Sequence, residues 1–197
     1  MKKLVALAAV LLVSLTALFA EDPATGLWKS IDDKTGKTTA IWKIYEENDM
    51  LFGTIAAVID NPQDVIADKC KKSYKNFPVE GNVNEMKTVG TPWIFNMKKE
   101  AEGKWEDGNI IDPGNGKMYG CVIKYLNEGD KNKGFIAKEP TLAMAGTFGP
   151  IKVFQYWVRA PLAYQHESAW ADRCRGHDVG IQPSHRLCCN HCYDEST

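Results

Sequence analysis

Histidine is missing from residues 21–160, and arginine occurs there once, as Arg159. A body without histidine lacks the commonest general base. It carries neither a Gly-x-Ser-x-Gly elbow nor a glycine loop that could cradle phosphate. No catalytic constellation and no cofactor are therefore expected. Net charge is scarce as well, at −1. With no basic excess, the composition speaks against a nucleic-acid partner and against electrostatic attachment to a membrane surface. After residue 20 no apolar run is long enough to cross a bilayer, so the mature chain is not expected to be an integral membrane protein. Nothing in the sequence speaks to its oligomeric state.

What is present falls into three parts. Met1-Lys2-Lys3 is a basic start, Leu4 to Val13 is unbroken apolar sequence, and Glu21-Asp22-Pro23 follows Ala20. Residues 1–20 read as a secretory signal peptide cut after Ala20, which places the protein in the periplasm or outside the cell. An uncleaved anchor is the alternative, for which the stretch is short. At the other end the composition changes after Ala160. All 20 lysines lie at or before Lys152, whereas all four histidines, three of the four arginines and four of the six cysteines lie beyond Ala160. Residues 161–197 show no sustained apolar period of 2 or 3.6. They read as an irregular, disordered or non-native tail, such as a frameshifted extension. The alternative is a zinc site built from His185, Cys188, Cys189, His191 and Cys192. Cys189-x-x-Cys192 has one suitable spacing, but the second matched pair of a zinc module is missing.

Between these ends, residues 21–160 form short β-rich runs separated by turn residues. The expected strands are Thr25–Ser30, Thr38–Glu46, Leu51–Ile59, Thr91–Lys98, Lys104–Ile111, Lys117–Leu126, Asn132–Lys138 and Ile151–Arg159. Ala40, Trp42 and Ile44 make one wholly apolar face at period 2. Asp60 to Pro78 reads as a long polar loop with one helical turn, and Glu139 to Pro150 as a Gly/Pro-bearing connection. Asp112-Pro113-Gly114-Asn115-Gly116 is a hairpin signal, with Asn-Gly able to take positive φ at both central positions. Eight strands joined mostly by tight turns predict an all-β, up-and-down antiparallel barrel, which leaves no open edge. A two-sheet sandwich is the alternative.

Gly26-Leu27-Trp28 opens the first strand and Trp157-Val158-Arg159 ends the last. The pair resembles the lipocalin and fatty-acid-binding (calycin) signature. There, Gly-x-Trp on the first strand meets an arginine from the last across the closed end of the barrel. A wider set of residues resembles the secreted bacterial family named domain of unknown function 2147. It comprises Thr35-Gly36-Lys37, Ile44-Tyr45, Leu51-Phe52-Gly53-Thr54-Ile55, Trp105-x-x-Gly108-x-Ile110-x-Asp112-Pro113-x-x-Gly116-Lys117-x-Tyr119-x-Cys121, and Gln155-Tyr156-Trp157-Val158-Arg159. The resemblance implies a lipocalin-like barrel in the periplasm and no established activity. The chain departs from the pattern at Cys70-Lys71-Lys72-Ser73, where such proteins often carry Cys-x-x-Cys. Thr147 to Lys152 is less typical too, and the tail has no counterpart.

Candidate functional residues follow from this frame. Trp28 and Arg159 are expected to close the barrel, the guanidinium stacked on the indole. Trp42, Trp93, Phe95, Tyr119, Phe154 and Tyr156 are assigned to inward faces, where they would line a cavity or simply fill the core. Cys70 and Cys121 either form a disulfide, which export permits, or remain two thiols. Asp112 and the Asp60, Asp64, Asp68 series read as turn and loop residues. Two functions compete: binding of a small hydrophobic or amphipathic molecule, such as a lipid or fatty-acid-like compound, and a solid-cored structural or interaction protein of the cell envelope. An enzyme would need converging groups that the sequence does not offer.

Overall fold

The computed structural model describes residues 21–161. The signal-peptide and tail assignments, with the His185, Cys188, Cys189, His191 and Cys192 metal set, lie outside them. Ten strands run in order: β1 Gly26–Ile31, β2 Thr38–Glu47, β3 Met50–Val58, β4 Pro92–Ala101, β5 Lys104–Asp112, β6 Lys117–Leu126, β7 Lys131–Asn132, β8 Phe135–Ile136, β9 Thr141–Phe148 and β10 Ile151–Arg159. Eight of them close into a barrel in the order β1-β10-β9-β6-β5-β4-β3-β2, every pairing antiparallel. The up-and-down barrel expected from the sequence is therefore present. Trp28 pairs with Arg159 where the last strand seals against the first.

One strand is not where the sequence pattern placed it. The seventh stave is β9, inside the stretch read as a connection, and Asn132–Lys138 contributes only to the small β7–β8 hairpin. Ala143, Ala145 and Gly146 are poor strand formers, which hid β9. Leu142 and Ala143 are fully buried because they have cover on both sides. Leu142 belongs to the main core, whereas Ala143 packs with Leu126 and Ala137 beneath Phe135, Phe154 and Tyr156. The β7–β8 turn, Lys133-Gly134, takes positive φ at both positions (49° and 88°), the geometry a two-residue hairpin needs.

Two further turns show how the chain reverses, and the second is not built as expected. Asn48-Asp49 between β2 and β3 has φ of 51° and 61°. In the β5–β6 turn only Gly116 is positive, at 68°. There Asp112 organises a four-residue loop. Its carboxylate accepts from the Gly114 amide and the Asn115 side chain, and its carbonyl from the Gly116 amide.

The β3–β4 connection is largely exposed, as a polar loop should be, but a few of its residues anchor it to the barrel. Ala67, Cys70, Tyr74 and Val83 are buried, Ile55 bridges to Val89 and Ile66 to Lys87. Its helical turn falls at Val83–Glu85, beyond Pro78. Phe77 from this loop lies 6.2 Å from Trp93 and 5.4 Å from Phe95, ring centre to ring centre.

Candidate functional site

The barrel has two unlike ends. At the closed end the Arg159 guanidinium sits 3.9 Å above the Trp28 ring and donates to the Thr25 carbonyl at 2.5 Å and the Pro23 carbonyl at 2.7 Å. A planar fork can span two carbonyls while stacking on an indole, which lysine cannot. Trp28 is fully buried and donates its Nε1–H to the Ala24 carbonyl at 2.8 Å. Gly26 has φ of +112°, and a Cβ there would collide with Arg159 Nη1, so glycine is required on both counts.

A group absent from the sequence reading completes this end. The buried Asp22 carboxylate accepts from the Ala24 amide, the Gly103 amide and the Trp105 indole at 3.0–3.1 Å. It pairs with Lys99 at 3.1 Å. Burial alone would raise the Asp22 pKa, but the two amides, the indole and the ammonium outweigh it and hold the carboxyl below its ordinary 3.8. Stability from this carboxylate is complete above 3.8 and is lost as pH falls through the lower folded value. Thermal unfolding followed from about pH 5 to about pH 2 is expected to show a component of acid destabilisation that Asp22→Asn lacks. Parallel curves for the two proteins would rule it out.

Toward the other end lies a cavity of about 550 Å³. On β10 its lining runs Ile151, Val153, Gln155, Trp157, so Trp157 is deepest. Trp42 stacks on it at 5.0 Å and 23°, and this pair forms the base of the cavity. Ile55, Ile110, Tyr119 and Met144 supply the walls, Ser30, Thr39 and Gln155 the polar handles. Ile31, Asp32, Asp112, Pro113 and Phe148 come from strand ends and turns around the mouth. Phe148, Ile151 and Val153 are 75%, 60% and 64% exposed, so the mouth has an apolar rim.

The expected lining residues divide. Trp42 and Tyr119 line the cavity. Trp93 and Phe95 do not. Ile94 pairs with Gly53 and Ile110 on the inner face, so its neighbours point outward, under the Phe77 loop. Phe154 and Tyr156 also face out, because Arg159 opposite Trp28 sets the inward parity of β10. Tyr156 stacks instead on Phe135 of β8 at 3.8 Å, and Phe154 on Tyr156 at 6.3 Å. Trp157, Ile55, Ile110, Met144 and Gln155 were missed as lining residues, and the same parity rule would have found the two on β10.

Cys70 and Cys121 are free, buried thiols. Cys70 lies beside Gly116, whereas Cys121 is five positions further along β6, about 16 Å at 3.3 Å per residue. A disulfide needs Cα atoms about 6 Å apart, so this geometry does not bridge them. Burial pushes both thiols up in pKa, which makes them poor nucleophiles. Among the described residues no cluster of three or more His, Cys, Asp or Glu could hold a metal, and no helix is long and apolar enough to cross a membrane.

No curated protein matches this chain. Among solved structures it is similar to "Protein HP1028 from the human pathogen Helicobacter pylori belongs to the lipocalin family". The TM-score is 0.56 at 12% identity, over 74% of this chain and 88% of that one. At that identity the likeness establishes the fold, a lipocalin-like barrel. Residues 26–159 match the family described as "Uncharacterized protein conserved in bacteria (DUF2147)". With the Gly26-x-Trp28 and Arg159 closure inside the matched span, the chain belongs to the DUF2147 family.

Proposed function

We propose that this protein binds a small hydrophobic or amphipathic molecule inside its barrel, as a binding protein and not an enzyme, in the periplasm or outside the cell. The observation that carries the reading is the cavity of about 550 Å³ over the stacked Trp42–Trp157 pair. Ligand pockets run from about 300 to 1,000 Å³, mostly apolar with a few polar groups. A barrel filled by its own side chains leaves no such space, which counts against the solid-cored alternative. The location rests on the Met1–Ala20 pattern.

Gly146 offers the test. It lines the cavity, its φ is unremarkable for an L-residue, and an added Cβ would meet only Tyr119, at 3.8 Å. Gly146→Leu is expected to fold and to fill the space. Binding of the neutral apolar dye N-phenyl-1-naphthylamine, read by its fluorescence, is expected to weaken at least about tenfold, 1.4 kcal/mol. A wild-type protein that ignores the dye, or a variant that binds it equally, would reject the reading.

A further inference from the structure

The cavity is one-sided in charge. No lysine, arginine or histidine lines it, and its only carboxylates are Asp32 and Asp112. Asp32 directly follows β1 and Asp112 ends β5, both at the mouth. Each is fixed by its turn. Asp32 Oδ1 accepts from the Lys34 and Thr35 amides and the Thr35 hydroxyl. Asp112 Oδ1 accepts from the Gly114 amide and Oδ2 from the Asn115 side chain. The Thr35 hydroxyl and amide, with smaller contributions from the Lys34 amide and its charge, hold the Asp32 carboxyl below its ordinary range, so it is ionised at neutral pH. Among the ion pairs of the described residues, none includes either carboxylate. Lys34, Lys37 and Lys117 of the same turns are exposed and line none of the cavity.

A molecule seated here meets an apolar base and an anionic mouth. A fatty-acid carboxylate could lie deep, where no cation would compensate its desolvation. Placed at the mouth, it would face two like charges. An ammonium head meets the same two carboxylates favourably, and a hydroxyl is neutral to them. Resting on the binding function proposed above, we infer that the cavity selects amphiphiles with a positively charged or neutral head, ammonium most strongly, and discriminates against fatty-acid anions.

Competition against N-phenyl-1-naphthylamine at neutral pH and low salt, with dodecylamine, 1-dodecanol and laurate, tests this. Exposed ion pairs are individually weak, and two together predict dodecylamine about tenfold tighter than 1-dodecanol, with laurate weaker than both. Asp32→Asn/Asp112→Asn keeps a carbonyl oxygen in each turn and removes both charges. It is expected to reduce the ammonium-over-alcohol preference to about twofold. Laurate binding as tightly as dodecylamine, or a preference that survives the double substitution, would overturn the charge selection while leaving the cavity reading intact. A wild-type protein that binds neither the dye nor any of the three compounds would overturn both.

Discussion

Replacing Trp28 with alanine is expected to cost about 4 kcal/mol, the middle of the range for a fully buried tryptophan, and to lower the melting temperature by about 12 °C. Three contributions coincide at this indole. Its whole surface is buried, its Nε1–H satisfies the Ala24 carbonyl, and its face carries the Arg159 guanidinium. Its loss opens a void and removes the surface over which Arg159 reaches Pro23 and Thr25. Arg159→Lys is the companion variant. It keeps the charge, gives up the two-carbonyl fork, and should cost less. In a double-mutant cycle the two substitutions should cost less together than the sum of their separate effects, because each disables the same contact. Additive costs, or a Trp28→Ala protein melting within about 2 °C of wild type, would show that this end is not where the barrel is secured.

The second large effect is expected at Gly116. Its φ is +68°, and an added Cβ would fall well inside contact distance of the Lys69 carbonyl oxygen and 2.7 Å from its carbonyl carbon. The obstacle is backbone, so no side-chain rotation relieves it. The Gly116 carbonyl also accepts the Tyr74 hydroxyl at 2.8 Å, which ties the long β3–β4 loop to the β5–β6 turn. Gly116→Ala is expected to cost about 3 kcal/mol, joining left-handed strain to a steric displacement. Gly36 supplies the control, since it has the same φ of +68° with nothing within 4 Å. Gly36→Ala should cost only the conformational part, about 1 kcal/mol. Urea unfolding of both variants reads the difference, and equal losses would mean that the loop yields without resistance.

How legible this was from the sequence depends on the element. Trp28 and Arg159 were readable because the flanking Gly-x-Trp and Trp-x-Arg are specific in combination and Arg159 has no competitor in the body. The same pair fixes the parity of β10, so Trp157, Gln155 and Val153 follow inward from Arg159 by period 2. Counting aromatics instead put Phe154 and Tyr156 inside. On β4 the parity is interrupted. Gly53 pairs with Ile94 and Leu51 with Met97, so β4 carries one more residue than β3 over that span. This extra residue lets Met97 point inward while Trp93 and Phe95 point out. A bulge of one residue leaves no mark in an apolar alternation. The role of Asp22 was hidden for another reason, because its partners Gly103 and Trp105 are 81 and 83 positions away.

The meeting of β1 with β10 also governs how the protein reaches its native state. Arg159 donates to a carbonyl 134 positions earlier, and no shorter-range pairing can substitute for that seam. Until the final strand docks, β1 presents an unpaired edge, and closing so long a loop sets the barrier before any reward is collected. Acquisition of the tube is therefore a late, cooperative step, on the slow side for a chain of this size, and an emerging polypeptide stays open along one side until its last stave has been made.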